Sequence, residues 1–212
     1  MKVLNLYAGI GGNRKLWTGC EVTAVEMDKD IANVYEDYFP NDKIIVADAH
    51  KYLLDHYNEF DFIWTSPPCQ SYTKMNRTLV GRGQKKPNYI DVKLYQEILF
   101  LGEWFNGKWI VENVVSMYPA LLHPSKELER HWFWSNFKIP NFYNDNKKPS
   151  IGRDKTSVFE KAFGYNLSKY TFKNARKDQV IRNCVNPSLG LHIFNAAKGI
   201  IEKSNTEQTQ LF

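Results

Sequence analysis

The chain opens with "MKVLNLYAGIGGN", residues 1–13, an apolar run that stops on a tyrosine and then on glycines. Val3, Leu4 and Leu6 read as a buried strand. Gly9, Gly11 and Gly12 let the turn after it reach conformations closed to other residues and approach a ligand closely. "GIGGNRKLW" is expected to turn into a helix. Such a turn is a weak sign alone, so the rest of the chain decides. "EVTAVEMD" (21–28) reads as a second strand that ends on acidic residues, and "KDIANVYEDYF" (29–39) places Ile31, Val34, Tyr35 and Tyr38 on one helical side. "KIIVADAH" (43–50) reads as a third strand, "YLLDHY" (52–57) as a short helix and "FDFIWTSPP" (60–68) as a fourth strand. "DVKLYQEILFLGEWF" (91–105) reads as a helix, "KWIVENV" (108–114) as strand five, "HWFWSNFKI" (131–139) as a further strand and "PSLGLHIFNAAKGIIEK" (187–203) as a closing amphipathic helix. Strands alternating with helices imply an α/β fold, with a mostly parallel sheet covered by helices on both faces.

Composition narrows the function classes. A length of 212 residues suits one α/β domain with a small appendage. Lys and Arg outnumber Asp and Glu, 28 to 23, which is compatible with a polyanionic partner without demanding one. The three cysteines, Cys20, Cys69 and Cys184, lie far apart and form no Cys-x-x-Cys pair. Neither a disulfide framework nor a zinc site is indicated, and the histidines form no ligand-spaced cluster. Cys20 and Cys184 read as core thiols. No apolar run is long enough to span a membrane, and the first residues go straight into a strand, so a cytoplasmic setting is expected.

The chemistry collects at the strand ends. Gly9 follows strand one, Glu26 ends strand two and can accept from ribose hydroxyls, and Asp48 ends strand three, placed to accept from an adenine amino group. In an open α/β sheet these ends share one edge, and together they describe a nucleoside pocket. No Lys-Ser/Thr phosphate cradle accompanies the glycines. Strand four ends in "SPPCQ" and strand five in "VENV". The two prolines restrict the backbone and aim Cys69.

"YAGIGG", Glu26, Asp48, "SPPCQ" and "VENV", in that order, resemble the motifs of the cytosine-C5 DNA methyltransferase family. "KELERHWFW" (126–134) is similar to a later motif of which only Arg130 is kept, and "RNCVNPSLGLHIF" (182–194) to the closing one. The resemblance covers roughly residues 2–138 and 180–197. It implies a Rossmann-like methyltransferase fold with S-adenosylmethionine as methyl donor. It implies that Tyr7 stacks on the adenine, that Gly9, Ile10 and Gly12 line the methionine moiety, that Glu26 holds the ribose, that Met27 packs on the adenine, and that Asp48 reads its amino group. Ala8, Ala49, Pro68, Asn183 and Val185 complete that pocket, although Arg182 stands where the family usually has a glycine before the Asn. Cys69 becomes the nucleophile that adds to cytosine C6, Glu112 the acid at N3, and Arg130 the contact to O2; Asn113 fixes the backbone around Glu112. The target base must be flipped out of a duplex.

The polar stretch "SYTKMNRTLVGRGQKKPNYI" (71–90) is long for a strand-to-helix connection. It is expected to close over the flipped base with Lys74, Arg77, Arg82, Lys85 and Lys86 near phosphates. The chain then divides into a catalytic domain (1–139), a reduced, basic insert resembling a target-recognition region (140–178), a segment returning to the catalytic domain (179–203) and a polar tail (204–212) expected to be disordered. The insert is much shorter than the recognition regions usual in the family. Double-stranded DNA is the partner implied, in a restriction-modification or phage setting, read either by this chain alone or with a separate specificity-providing protein. RNA cytosine is the alternative substrate, because the catalytic motifs do not separate the two, and a nucleic-acid-binding relic without turnover is the other class.

Overall fold

The computed structural model describes residues 1–143, 149–150 and 153–200. The expected disordered tail (204–212), together with Lys147 and Lys148 of the insert, lies outside the described residues.

Seven strands form one sheet in the order β3-β2-β1-β4-β5-β7-β6. β1 (Lys2–Leu6), β2 (Glu21–Glu26), β3 (Lys43–Val46), β4 (Phe62–Thr65) and β5 (Lys108–Val114) run parallel. β7 (His131–Ser135) pairs antiparallel with β5 on one side and with β6 (Lys126–Leu128) on the other. Because β1 to β5 are parallel, their C-terminal ends share one edge, and the register sets Leu6 level with both Val25 and Thr65, and Thr65 level with Val111. The fold is therefore the α/β arrangement expected from the alternating pattern.

Both faces of the sheet are buried, which is why its strands read as near-continuous apolar runs. On one face Leu4, Leu6, Val25, Ile63 and Val111 pack with Leu53 of α2 (Ala49–His56) and with Leu94, Ile98 and Leu101 of α4 (Lys93–Trp104). On the other, Val3, Val22, Phe62, Trp64, Ile110 and Phe133 pack with Trp17 and with Leu189, Ile193 and Phe194 of α7 (Pro187–Ala197). α1 (Lys29–Tyr38) begins at Asp28, whose carboxylate accepts from the amides of Asp30 and Ile31.

The expected helix over "GIGGNRKLW" does not form; residues 9–16 are turns and loop. Tyr7, Gly9 and Gly11 all hold positive φ (53°, 55° and 82°), outside the right-handed helical region. Side chains then take over. The Arg14 guanidinium bonds both oxygens of Asp42 at 2.8 and 2.9 Å and the Trp17 carbonyl at 2.8 Å. Trp17 stacks on Phe194 with ring centroids 4.7 Å apart and donates its indole N–H to the Gly190 carbonyl at 3.0 Å.

Within 71–90 a short helix, α3 (Lys74–Gly81), is capped by Thr73, whose hydroxyl accepts from the Asn76 amide. The segment after residue 140 contributes α5 (Thr156–Phe163) and α6 (Lys177–Arg182). Phe159, Phe163, Tyr165, Leu167, Val180 and Ile181 form a core cluster with Ile10 and with Val34 of α1. The Tyr165 hydroxyl donates to the Ile10 carbonyl at 2.8 Å, and the Lys173 amide donates to Asp30 at 2.9 Å. This stretch is thus lashed along α1, beside the glycine turn.

Two glycines within helices make opposite demands. A Cβ at Gly190 in α7 would lie 2.2 Å from the Asn13 carbonyl oxygen, whereas one at Gly102 in α4 meets nothing nearer than 3.8 Å. Gly190→Ala should cost about 1–3 kcal/mol through forced backbone displacement, and Gly102→Ala should gain about 0.5–1 kcal/mol from helix propensity. Urea unfolding of the two variants checks both signs.

Candidate active site

The shared strand edge gathers the expected donor-pocket residues. The Glu26 carboxylate accepts from the Gly9 amide at 2.9 Å and from the Asp28 amide at 2.9 Å, one bond to each oxygen. Each oxygen keeps acceptor capacity for a further donor such as a ribose hydroxyl. Asp48 caps α2 through one oxygen, which accepts from His50 and Lys51. A Cβ at Gly9 would meet nothing within 4 Å, so the turn stands over open space. Met27 is 63% exposed beside it. An uncrowded turn bordered by a carboxylate with spare acceptor sites fits the nucleoside part of S-adenosylmethionine. Other expected pocket residues face inward. Ala8, Ile10, Ala49 and Val185 are buried, and Gly12 packs against Cys184 and the Val185 carbonyl. Asn183 is exposed at the C-terminus of α6, and Pro68 is exposed beside Cys69.

Glu97 of α4 belongs to no sequence motif, yet it ties this edge together. It is 1% exposed. Its Oε1 accepts from the Tyr7 hydroxyl at 2.6 Å and meets His50 Nδ1 at 2.8 Å, while Oε2 accepts from the Thr65 hydroxyl at 2.6 Å. One buried carboxylate thereby joins the ends of β1 and β4 to the start of α2. The bond to Glu97, with desolvation working against it, raises the His50 pKa. Burial and Glu97 together push the Tyr7 hydroxyl far above the ordinary tyrosine range.

The second half of the site is built on β4 and β5. After Thr65 the chain runs through Ser66, Pro67 and Pro68 to Cys69, whose carbonyl accepts from the Tyr72 amide at 2.9 Å. The Tyr72 hydroxyl donates to the Asp91 carbonyl, and the Tyr72 carbonyl accepts from Met117 at 2.9 Å, so the turn is held from two sides. Asn113, expected to fix the backbone around Glu112, reaches across to the next strand end instead: its side-chain amide donates to the Pro67 carbonyl at 2.9 Å, and its carbonyl oxygen accepts from the Val114 amide at 2.9 Å. Asn113 thus clamps the Pro-Pro-Cys turn to β5.

Glu112, the residue before, is 7% exposed. Burial pushes its carboxyl up to about 7, against the opposing effects of a hydrogen bond from Ser66 and the charge of Arg130. The Ser66 hydroxyl also accepts from the Trp64 indole at 2.9 Å. Burial, then the Glu112 charge, pushes the Cys69 thiol up to about 11, opposed by its own backbone amide and by Arg130. Arg130 lies in the two-residue turn between β6 and β7, and its guanidinium donates to the Arg182 carbonyl at 2.5 Å. The atypical Arg182 therefore contributes a main-chain acceptor, while its own side chain turns to Asp178 at 2.9 Å. The structure brings Cys69, Glu112 and Arg130 into one electrostatic cluster. It leaves Lys74, Arg77, Arg82, Lys85 and Lys86 exposed on α3 and the loop after it.

Among the described residues no helix is long and apolar enough to cross a membrane. Residues 1–118 match the family C-5 cytosine-specific DNA methylase. A human tRNA (cytosine(38)-C(5))-methyltransferase is 31% identical over 113 residues, which is 42% of this chain and 29% of that protein. The chain thus spans under a third of that relative. Among solved structures, a mutant of Spodoptera frugiperda DNMT2 is 26% identical over 53% of this chain and 35% of its own, with a TM-score of 0.39. Entamoeba histolytica methyltransferase EhMeth is 11% identical over 95% of this chain and 99% of its own, with a TM-score of 0.55, a likeness of fold. The chain belongs to the C-5 cytosine-specific DNA methylase family, whose methyl donor is S-adenosylmethionine.

The raised Glu112 pKa is also a stability statement. Folded protein holds a proton that the unfolded chain gives up from pH 4.5 upward, so this contribution is lost as pH climbs to about 7. Glu112→Gln removes that dependence. Its stability relative to the wild type should rise by about 3 kcal/mol across the window. His131, whose pKa burial pushes down to about 3, has the opposite pH dependence but is common to both proteins and cancels. Denaturant titrations at several pH values check the difference.

Proposed function

We propose that this member of the C-5 cytosine-specific DNA methylase family methylates C5 of a flipped-out cytosine in double-stranded DNA, with Cys69 as nucleophile and Glu112 as acid. The observation that carries the reading is the convergence of a thiol, a carboxyl group with a pKa near 7 and a guanidinium at the edge that also holds Gly9, Glu26 and Asp48.

Near neutral pH the Cys69 thiol, pushed up to about 11, stays protonated while Glu112, near 7, is partly ionised, so the thiol must pass its proton to the Glu112 carboxylate as it adds. With that proton on Glu112, the pair presents a thiolate and an acid, the two forms the addition needs. The Cys69 sulfur pair forms a bond to C6. The C5–C6 π pair shifts to C4–C5, the C4–N3 π pair moves to N3, and Glu112 delivers its proton there. C5 is then an enamine carbon. S-adenosylmethionine, when bound, supplies an electrophilic methyl group on a sulfonium. Gly9, Glu26 and Asp48 would hold it, with Glu26 accepting from the ribose and Asp48 from the adenine amine. Once C5 carries the methyl group, loss of its proton to solvent restores C5=C6 and expels the Cys69 thiolate, and N3 returns its proton to the Glu112 carboxylate. Arg130 stabilises charge that accumulates on the base at O2.

Lys74, Arg77, Arg82, Lys85 and Lys86 are exposed and stand on the segment that follows Cys69 directly, where phosphates of a bound strand would pass. Some charges of the segment after residue 140 are already committed: Lys169 pairs with Asp37 at 2.9 Å and Arg176 with Asp178 at 2.7 Å. Recognition through so short an insert is short or relaxed, unless a separate specificity-providing protein takes part. A second reading, cytosine in RNA, is favoured by the tRNA methyltransferase among its relatives.

Transfer of labelled methyl groups to duplex DNA and to tRNA, with the modified nucleoside identified, tests the reading. The expected product is 5-methylcytosine in DNA, abolished by Cys69→Ala and slowed about 10²–10⁴-fold by Glu112→Gln. Label in RNA alone would overturn the DNA assignment, and no label in either polymer would overturn the reading of a self-sufficient enzyme. Lys85→Ala with Lys86→Ala should flatten the dependence of log affinity on log salt by about 0.9 for each phosphate left without its cation.

A further inference from the structure

His131 opens β7 directly after Arg130 and is 3% exposed. In the antiparallel register Val114 faces His131 and Glu112 faces Phe133, so His131 and Glu112 stand on one face of the sheet as diagonal neighbours. Its Nε2 lies 3.6 Å from Glu112 Oε1. Its Nδ1 is buried with no hydrogen-bond partner among the described residues. A buried ring nitrogen without a partner is costly, and packing alone would have favoured an apolar residue here. We propose that His131 is a positioning residue for the acid: a permanently neutral imidazole that points its Nε2–H at Glu112 and governs how readily that carboxyl group releases its proton.

The tautomer follows from the surroundings. A proton on Nε2 faces a carboxylate and leaves only a bare lone pair at Nδ1. A proton on Nδ1 would strand an N–H and set the Nε2 lone pair against the carboxylate, which is repulsive. Burial and the neighbouring Arg130 charge push the imidazole down to about 3, so it stays neutral at working pH. The separation is a few tenths of an ångström beyond an ordinary bond, as catalytic contacts often are before substrate binds. A donor to the ionised form favours ionisation. His131 therefore opposes desolvation and helps keep Glu112 able both to give and to regain a proton near neutral pH. The other groups that act on Glu112 are the Ser66 hydroxyl and the Cys69 thiol from the β4 side, and Arg130 from the β6–β7 turn, with Glu129 beside it.

The catalytic consequence rests on Glu112 being the acid, but the measurement does not. Carboxyl ¹³C NMR of the full chain, labelled at glutamate and assigned with Glu112→Gln, follows Glu112 without substrate. His131→Phe removes the donor and should raise the Glu112 midpoint by roughly one unit, a tenfold gain in proton affinity. His131→Gln, which returns an N–H at a similar reach, should bring it most of the way back. A midpoint in His131→Phe within about 0.3 unit of the wild type, set against that one-unit expectation, would overturn the proposal. Should the variants fail to fold, ¹⁵N spectra of wild-type His131 decide. A neutral ring protonated at Nε2 supports the proposal, and an Nδ1–H tautomer or a charged ring at pH 6, well above the midpoint of about 3, overturns it. If the cytosine reading alone is wrong, these titrations stand while no methyl transfer occurs.

Discussion

A carboxyl group buried at the end of a central strand loses its hydration and can ionise only as far as its neighbours replace that hydration. Glu112 is in that position, and much of the local architecture supplies the replacement. Ser66 reaches it from the end of β4, Arg130 from the β6–β7 turn and His131 from β7. Each belongs to a different segment, and two of them are fixed by further hydrogen bonds. The Arg182 carbonyl holds Arg130, and the Trp64 indole holds Ser66. The antiparallel insertion of β7 beside β5 is what brings the last two groups within reach of Glu112. Cys69 shares this environment, and its thiol and the Glu112 carboxyl each penalise the other's charge.

The same edge couples two halves that chemistry must align. Asn113 ties β5 to the Pro-Pro-Cys turn, and Glu97 ties the end of β4 to the glycine turn and to α2. A donor lodged at Gly9, Glu26 and Asp48 would thus be referenced to the nucleophile through buried hydrogen bonds rather than through mobile loops. α7 completes the frame from beneath, with Gly190 pressed on Asn13 and Trp17 stacked on Phe194. The segment after residue 140 joins this frame by packing Phe159 and Leu167 against Ile10 and Val34.

The strands were legible because buried parallel strands carry a plain apolar signature, and their ends were legible because the motif residues follow them directly. The helix expected after the glycine turn was not found, because positive φ at Gly9 and Gly11 and the Arg14–Asp42 pair override the local pattern. α3 was hidden because its stretch is dominated by basic and polar residues and carries Gly81 and Gly83, which read as a loop although Met75, Leu79 and Val80 stand at helical spacing. Cys69, Glu112 and Arg130 could be singled out from motifs. Glu97, Ser66 and His131 could not, since their meaning lies in partners on other strands: Glu97 looks like one more helix glutamate, and His131 like one polar letter in an aromatic run. The double duty of Asp48, helix cap and pocket wall, was likewise invisible until α2 was seen to begin there.

The central claim is that the Cys69 sulfur bonds to C6 of a cytosine. A DNA duplex carrying 5-fluorocytosine blocks the final proton loss and holds that bond in place. Incubation of the full chain with this duplex and S-adenosylmethionine, followed by proteolysis and mass spectrometry, reads the attachment point. The account requires the methylated fluoropyrimidine adduct on the peptide that contains Cys69, with none formed by Cys69→Ala. An adduct on Cys20 or Cys184, or one that persists in Cys69→Ala, would contradict it.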